Sequence, residues 1–341
     1  MARLFSDDIA IDLGTANTLV YVVDRGIIID EPSTVALRSV NGAREILAVG
    51  KRAREMEGRT PENIETLRPM RDGVIADFIA TEEMLRQFIQ RAKSKTGFRR
   101  PRSLICVPAG ATPVERRAVY ETAVSAGSRR VLMIEEPVAA AIGAGMPVER
   151  PMGSMVVDIG GGTTDIAVLS LSGVLQARSL RCAGNAMDEA IIRYVRRTHQ
   201  LLIGERNAER IKTDAGAVQP GKRDRGVEIH IRGRDVRLGR AKSVTLTSAD
   251  ISEALSGPVD EIIEFVQRAL EDLPPDIASD ICEEGLQLTG GGAQLHGLAP
   301  LMAERLGIPV AVPDNPLHSV VLGSARVLQE LDAWEQLLIQ P

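Results

Sequence analysis

Two aspartates, Asp12 and Asp158, each stand near the end of an apolar run and are each followed by a turn of glycine and small polar residues. The first phrase, IAIDLGTANTLVY, spans residues 9–21, and the second, MVVDIGGGTTDIAV, spans 155–168. Glycine lets the backbone approach an anion closely, so such a turn can aim several N–H groups at a phosphate. Gly14, Thr15, Ala16 and Asn17 supply one turn; Gly160, Gly161, Gly162 and Thr163 supply the other. Facing each other, the two would hold the β and γ phosphates of a nucleotide from opposite sides. Carboxylates beside phosphates repel them unless a cation intervenes. Asp12 and Asp158 therefore predict Mg2+, which combines one or two carboxylates with waters and phosphate oxygens. Either phrase alone reads equally as a plain hairpin turn, which favours Asp and Gly. The matched pair is what points to phosphate.

Hydrolysis of a γ-phosphate needs a group to orient or deprotonate water. Glu135 and Glu136 close an apolar run just before Pro137, where Pro fixes the first helical turn. Glu136, at the junction itself, is the candidate, with simple helix capping as the alternative. Thr163 and Thr164 offer hydroxyls to hold the same water. A third cluster, Gly290, Gly291 and Gly292 in LTGGGAQL, follows an apolar strand and suits close backbone approach to a ligand. No GxxxxGK[ST] is present, and no GxGxxG is followed by an acidic residue at the dinucleotide spacing.

These residues need a scaffold of strands and helices. Residues 9–13 and 19–23 read as strands around GTANT. The stretch 77–92 places Phe78, Met84, Leu85, Phe88 and Ile89 near helical spacing, with Asp77 as N-cap. A helix from Pro113, capped by Thr112 and closed by Gly127, follows the strand SLICV. Past residue 155 the pattern restarts with strand, turn and strand, then helices at 185–200, 208–216 and 248–271. VEIHIRGRDVRLG alternates Val227, Ile229 and Ile231 with polar residues and reads as a half-exposed hairpin turning at Arg232–Asp235. The expected class is α/β, with two related lobes around a cleft. At 341 residues the chain exceeds one ordinary core.

Composition narrows the function. Aromatics are 3%, too few for base-stacking platforms, and the net charge of −5 gives no global attraction to nucleic acid or anionic lipid. The three cysteines, Cys106, Cys182 and Cys282, lack CxxC spacing and read as small buried hydrophobes. No apolar run is long enough to span a bilayer, and MARLFSDD lacks the apolar region of a signal peptide. A cytoplasmic protein is expected.

Taken together, DIAIDLGTANTLVY, RPMRDGVIADF, CVPAGAT, EEPVAAAIGAG, VVDIGGGTTDIAVLSLSG, MDEAI, AERIK and LTGGGAQL resemble the MreB family of bacterial actin homologues, in order from about residue 8 to about residue 330. The resemblance implies an actin-like fold, a duplicated ribonuclease H-like α/β architecture. Its first lobe would comprise 1–145 with a small subdomain at about 31–75, completed by 312–341. Its second lobe would comprise 146–311 with a small subdomain at about 183–245. It implies ATP or ADP with Mg2+ in the cleft, and ATP hydrolysis coupled to polymerisation into filaments. Those filaments would lie at the inner face of the cytoplasmic membrane, with membrane-anchored morphogenesis proteins as partners, and organise cell-wall synthesis and rod shape. Matched by motif, Glu136 is the catalytic glutamate and Thr163 the threonine that holds the attacking water. Glu209 and Lys212 match the nucleoside-binding helix, and Gly290 to Gly292 the adenosine motif. The sequence departs at Asp165, where most members carry Glu, and at Ala183 and Asn185, where Gly and Asp are usual.

Membrane contact is expected from Leu4 and Phe5 and from the loop 93–102. There Lys93, Lys95, Arg99, Arg100 and Arg102 surround Phe98. A solvated charged loop is the alternative. One other function of the superfamily stays open. A small-molecule kinase would need a base beside the second turn, where Asp165 stands. A chaperone ATPase would need a long peptide-binding domain, for which the sequence to Pro341 leaves no room.

Overall fold

The computed structural model describes residues 8–40, 43–96, 100–218 and 227–341. Leu4, Phe5 and Phe98, expected at a membrane, lie outside those residues.

The chain opens with an antiparallel meander, β1 (Asp8–Leu13), β2 (Asn17–Val22) and β3 (Gly26–Pro32). A small three-stranded sheet follows from β4 (Val35–Val40), β5 (Ala43–Val49) and, after helix α1 (Lys51–Met56), β6 (Ile64–Leu67). A short hairpin of β7 (Met70–Arg71) and β8 (Val74–Ile75) leads into α2 (Phe78–Thr96). Asp77 caps α2 by accepting from the Ala80 N–H at 3.0 Å. Met84, Leu85, Phe88 and Ile89 are buried, whereas Phe78, in the first turn, is exposed. The strand β9 (Arg102–Val107) is parallel to β1. Next come α3 (Pro113–Ser125), β10 (Arg130–Glu135) and α4 (Glu136–Gly143). Thr112 and Glu115 form a reciprocal capping box at the start of α3.

The second half repeats the meander as β11 (Ser154–Ile159), β12 (Thr164–Ser170) and β13 (Gly173–Leu180). Helix α5 (Gly184–His199), β14 (Leu201–Leu202), α6 (Glu205–Ala215), β15 (Glu228–Asp235) and β16 (Ala241–Thr247) build its small sheet. The β15–β16 turn falls after Asp235, later than the sequence suggested. The Asp235 carboxylate accepts from the N–H groups of Arg237 and Leu238, and Gly239 takes φ of 68°. Gly233 stays in the strand because β14 presses on it: a Cβ there would strike the Leu202 carbonyl. Then follow α7 (Ser248–Glu271), α8 (Pro275–Glu284), β17 (Leu286–Thr289), a 3-10 turn at Gly291–Gln294, α9 (Leu298–Leu306) and β18 (Val310–Ala311). The helix expected directly after the third glycine cluster is thus delayed by the 3-10 turn and by Gly297, which takes φ of 80°.

The last segment returns to the first half. Helix α10 (Ser319–Gln329) packs on α4, and after α11 (Leu331–Trp334) the strand β19 (Leu338–Ile339) joins β10. The two large sheets have the orders β19-β10-β9-β1-β2-β3 and β13-β12-β11-β17-β18. Between them lies a layer made largely of α4 and α10. Gly143 and Gly323 allow these helices to touch, since a Cβ on either would strike the other's backbone. Cys106 and Cys182 are buried as expected, but Cys282 is exposed, because α8 buries Ile281 on the opposite face. Among the described residues no helix is long and apolar enough to cross a membrane.

Candidate active site

Strand alternation decides which side chains meet between the sheets. In β1, Ile9, Ile11 and Leu13 face the outer core under α2 and α3, while Ala10 faces the α4–α10 layer. In β11, Met155, Val157 and Ile159 face the second lobe's outer core, while Val156 faces the shared layer. Asp12 and Asp158 come one step further along the inner faces. Ile134 of β10 is likewise an inner residue, and Glu136 follows it at the start of α4. Asp165 sits opposite Asp158 in the β11–β12 ladder and precedes the inner residue Ala167. Four carboxylates from four separate segments therefore end just above one apolar layer, where their fields overlap.

The turns lie over them. A Cβ added to Gly161 would stand 2.6 Å from the Ala16 Cβ, and one on Gly162 would stand 2.7 Å from the Thr15 hydroxyl. The turns from the two halves are thus in direct contact. Each is held from behind through its carbonyls. Ser33 donates from its hydroxyl to the Gly14 carbonyl at 2.6 Å and from its N–H to the Ala16 carbonyl at 2.9 Å. The Gly160 and Gly161 carbonyls accept from the N–H groups of Gly184 and Asn185 at 3.1 and 2.7 Å, at the start of α5. The hydrogen bonds among the described residues leave the N–H groups of Thr15, Ala16, Gly161 and Gly162 without an acceptor. Clustered donors in this state are a ready site for an anion. A third element, the β7–β8 turn, closes on both: Gly73 N–H donates to the Thr15 hydroxyl at 3.0 Å, and Asp72 backs Gly162.

Electrostatics set the character of the floor. Burial first, and Asp158 second, push Asp12 up to about 7. Burial also pushes Asp158 up to about 7, with Asp165 adding to the rise and a hydrogen bond from the Thr289 hydroxyl, at 2.7 Å, opposing it. Glu136 is raised well above the usual carboxylate range by burial, then by Asp165, Asp12 and Asp158. No side-chain capping bond forms at the start of α4, so capping does not explain its carboxylates. Asp165 is raised by burial, opposed by hydrogen bonds from the Thr163 and Ser179 hydroxyls and from the Ala109 N–H of the first lobe, which donates at 3.0 Å. Among the described residues no three acidic, His or Cys side chains converge tightly enough to hold a metal alone. The mutual repulsion fits a divalent cation reached through water and completed by ligand oxygens.

The remaining predicted residues are dispersed around the rim. Gly290 and Gly292 are required by packing, since a Cβ on either would strike Ile159; a Cβ on Gly291 would meet only Leu317, at 3.6 Å. Lys212 donates to the Gly184 carbonyl and pairs with Asp188, both at 2.8 Å, so α6 is fastened to the segment backing the second turn. Burial holds Lys212 below and Asp188 above their usual values despite that pairing. Glu209 pairs with Arg54 after β5, and Arg68 donates to the Asn185 amide oxygen at 3.0 Å. Two side chains of the first small subdomain thus reach across to the second. These cross-cleft partners, Asp72 and the direction of Asp165 were not read from sequence. For Asp165 the signal was present: closing a four-residue turn from Ile159 to Thr164 places it opposite Asp158. Arg102, expected as a free loop cation, belongs to β9 and is held by Asp8, and Lys93 lies within α2.

A family model described as MreB/Mbl protein matches residues 6–336. The chain is 53% identical over 332 residues to the cell shape-determining protein MreB of Escherichia coli (strain K12), covering 96% of this chain and 95% of that one. The structures of MreB5 of Spiroplasma citri bound to AMPPNP and bound to ADP both superpose with a TM-score of 0.89 at 33% identity, over 95% of this chain and 96% of that chain. A MamK double helical filament gives a TM-score of 0.79 at 22% identity, over 95% and 99% of the two chains, a likeness of fold.

Proposed function

Because the chain belongs to the MreB/Mbl family, we propose that it is a cytoskeletal actin-like ATPase that binds ATP or ADP between its lobes, polymerises and serves cell shape. The observation that carries this reading is the contact of two turns with unpaired N–H groups above four clustered carboxylates. The nucleotide-bound MreB5 relative supports it. The family match over nearly the whole chain disfavours the kinase reading. In the proposed division, residues 1–145 with 312–341 form one lobe and 146–311 the other, so closure on a nucleotide moves one turn against the other.

Gly14 to Asn17 and Gly160 to Thr163 bind the phosphates through backbone N–H groups. Glu209, Lys212 and Gly291 face the nucleoside. Mg2+, when bound, supplies positive charge that offsets the phosphates. Asp12 and Asp158 would hold it. Glu136, whose burial raises its proton affinity, takes up the proton of the attacking water. Thr163 holds that water and is itself oriented by a hydrogen bond to Asp165. Expelling bulk solvent from this pocket strengthens each of these interactions.

Replacing Glu136 with Ala should leave AMPPNP affinity within about threefold and lower phosphate release by about 10²-fold or more. Release at the wild-type rate in that variant would remove Glu136 from the chemistry. Self-assembly is read by sedimentation with ATP and Mg2+ followed by electron microscopy of the pellet. Peripheral placement at the inner membrane face, with Leu4, Phe5 and Phe98 inserted, is read by adding anionic vesicles. A Phe98→Ala protein that sediments with vesicles as well as wild type would end that assignment.

A further inference from the structure

A cavity of about 1020 Å³ opens in the second lobe's small subdomain, away from the phosphate turns. Its wall follows from two simple patterns. Helix α6 buries Ala208, Ile211 and Ala215, which turns Arg206, Asn207 and Arg210 to the opposite side. In the β15–β16 ladder, Ile231 and Leu246 enter the core, while His230 stands opposite Thr245 and Arg232 opposite Ser243 on the other face. The first lobe contributes Arg59, just past α1. Four guanidinium groups, two hydroxyls, an amide and an imidazole therefore line one space. None of the four arginines forms an ion pair with a carboxylate among the described residues, although the chain as a whole is acidic.

Four like charges around one cavity, in a protein of net charge −5, carry a cost that an anion removes. We propose that this cavity is a second anion site, built for a compact polyphosphorylated molecule. Guanidinium forks match phosphate oxygens in pairs, and Ser243, Thr245 and Asn207 add neutral donors of the kind that complete such a shell. The lining has no Phe, Tyr or Trp, so it offers no stacking platform for single-stranded nucleic acid. A space of about 1020 Å³ matches the size of small-ligand sites. Because Arg59 belongs to one lobe and the other arginines to the second, the occupant ties the small subdomains together beside the Arg54–Glu209 pair.

The probe is inorganic tripolyphosphate, titrated by calorimetry into the full chain with the nucleotide cleft saturated by ADP and free Mg2+ matched in cell and syringe. Saturable one-to-one binding is expected. It should weaken at least about tenfold in the Arg206→Ser, Arg210→Ser double variant and in Arg232→Ser, stay closer to wild type in Arg210→Lys, and be unchanged in Glu136→Ala. The substituted arginines are exposed, so the melting temperature should be preserved and serves as the control for folding. Heat that disappears once ADP is present assigns the anion to the phosphate turns and overturns the second site. Equal binding by the arginine variants, or binding no tighter than that of sulfate at the same ionic strength, overturns it as well. Tighter binding of an oligoglutamate peptide through the same arginines reassigns the cavity to a protein partner. These outcomes are independent of Glu136, so failure here leaves the ATPase reading standing.

Discussion

The turn at residues 14–17 and the turn at 160–163 hold equivalent places in equivalent hairpins. Leu13 pairs with Thr18 across the first, and Ile159 pairs with Thr164 across the second. Each follows an inward-facing aspartate. Their surroundings differ in two ways. Opposite Asp12 stands Leu19, 3% exposed and packed into the shared apolar layer; opposite Asp158 stands Asp165, which reaches the Ala109 N–H of the other lobe. Behind the first turn is one serine, Ser33; behind the second is the start of helix α5, itself fastened by Lys212 and Arg68. A duplicated frame has thus been given unequal roles. The first hairpin is anchored locally, and the second connects its glycine turn to helix α5 and to the acidic floor.

Exchanging the two unlike residues tests this asymmetry most severely. Leu19→Asp would bury a fourth aspartate in the floor with no cationic partner, and should destabilise the protein by roughly 3–5 kcal/mol, read as a lowered denaturation midpoint. A midpoint equal to that of wild type would mean that the hairpins are interchangeable. The converse, Asp165→Leu, should preserve nucleotide binding and lower phosphate release by about 10- to 10²-fold, because Thr163 loses the group that orients it. If release persists, Asp165 is only a tether. The glycines provide a finer comparison. Gly161→Ala places a methyl 2.6 Å from Ala16 and should cost about 1–3 kcal/mol of stability, whereas Gly160→Ala, 3.4 Å from the Thr163 carbonyl, should cost under about 1 kcal/mol. Parallel thermal melts of the two variants measure the contact between the turns. The smallest expected effect is that of Ser33→Ala, about 1 kcal/mol for the lost bond to the Gly14 carbonyl. A loss of several kcal/mol there would make the first turn as dependent on remote support as the second.

Much of this arrangement is legible in the sequence. The capping residues Thr112 and Asp77, the helix initiated by Pro113 and the two hairpins follow from rules that act over a few residues, and the structure has them. Alternation along β1 and β11 places Asp12 and Asp158 on the faces opposite their outer-core isoleucines. Three of the readings that changed depended on contacts with other elements. The β15–β16 turn moved because β14 needs Gly233 in the ladder. Cys282 is exposed because α8 turns its other side to the core. Arg102 is not a loop cation because β9 lies beside β1 and brings Asp8 to it.

The amino-acid sequence by itself therefore determined the local units: two strand–turn–strand hairpins with an inward aspartate, a glutamate at a strand–helix junction, and turns able to present N–H groups. Periodicity and capping are short-range, so they are written into adjacent residues. Only the tertiary structure decided that the two turns touch, that four carboxylates share one apolar floor, and that Arg54 and Arg68 reach across to α6 and α5. Those contacts join segments far apart along the chain. They depend on α4 and α10 packing through Gly143 and Gly323 between the sheets, a fit set by close packing of side chains and backbone that no single stretch of sequence contains.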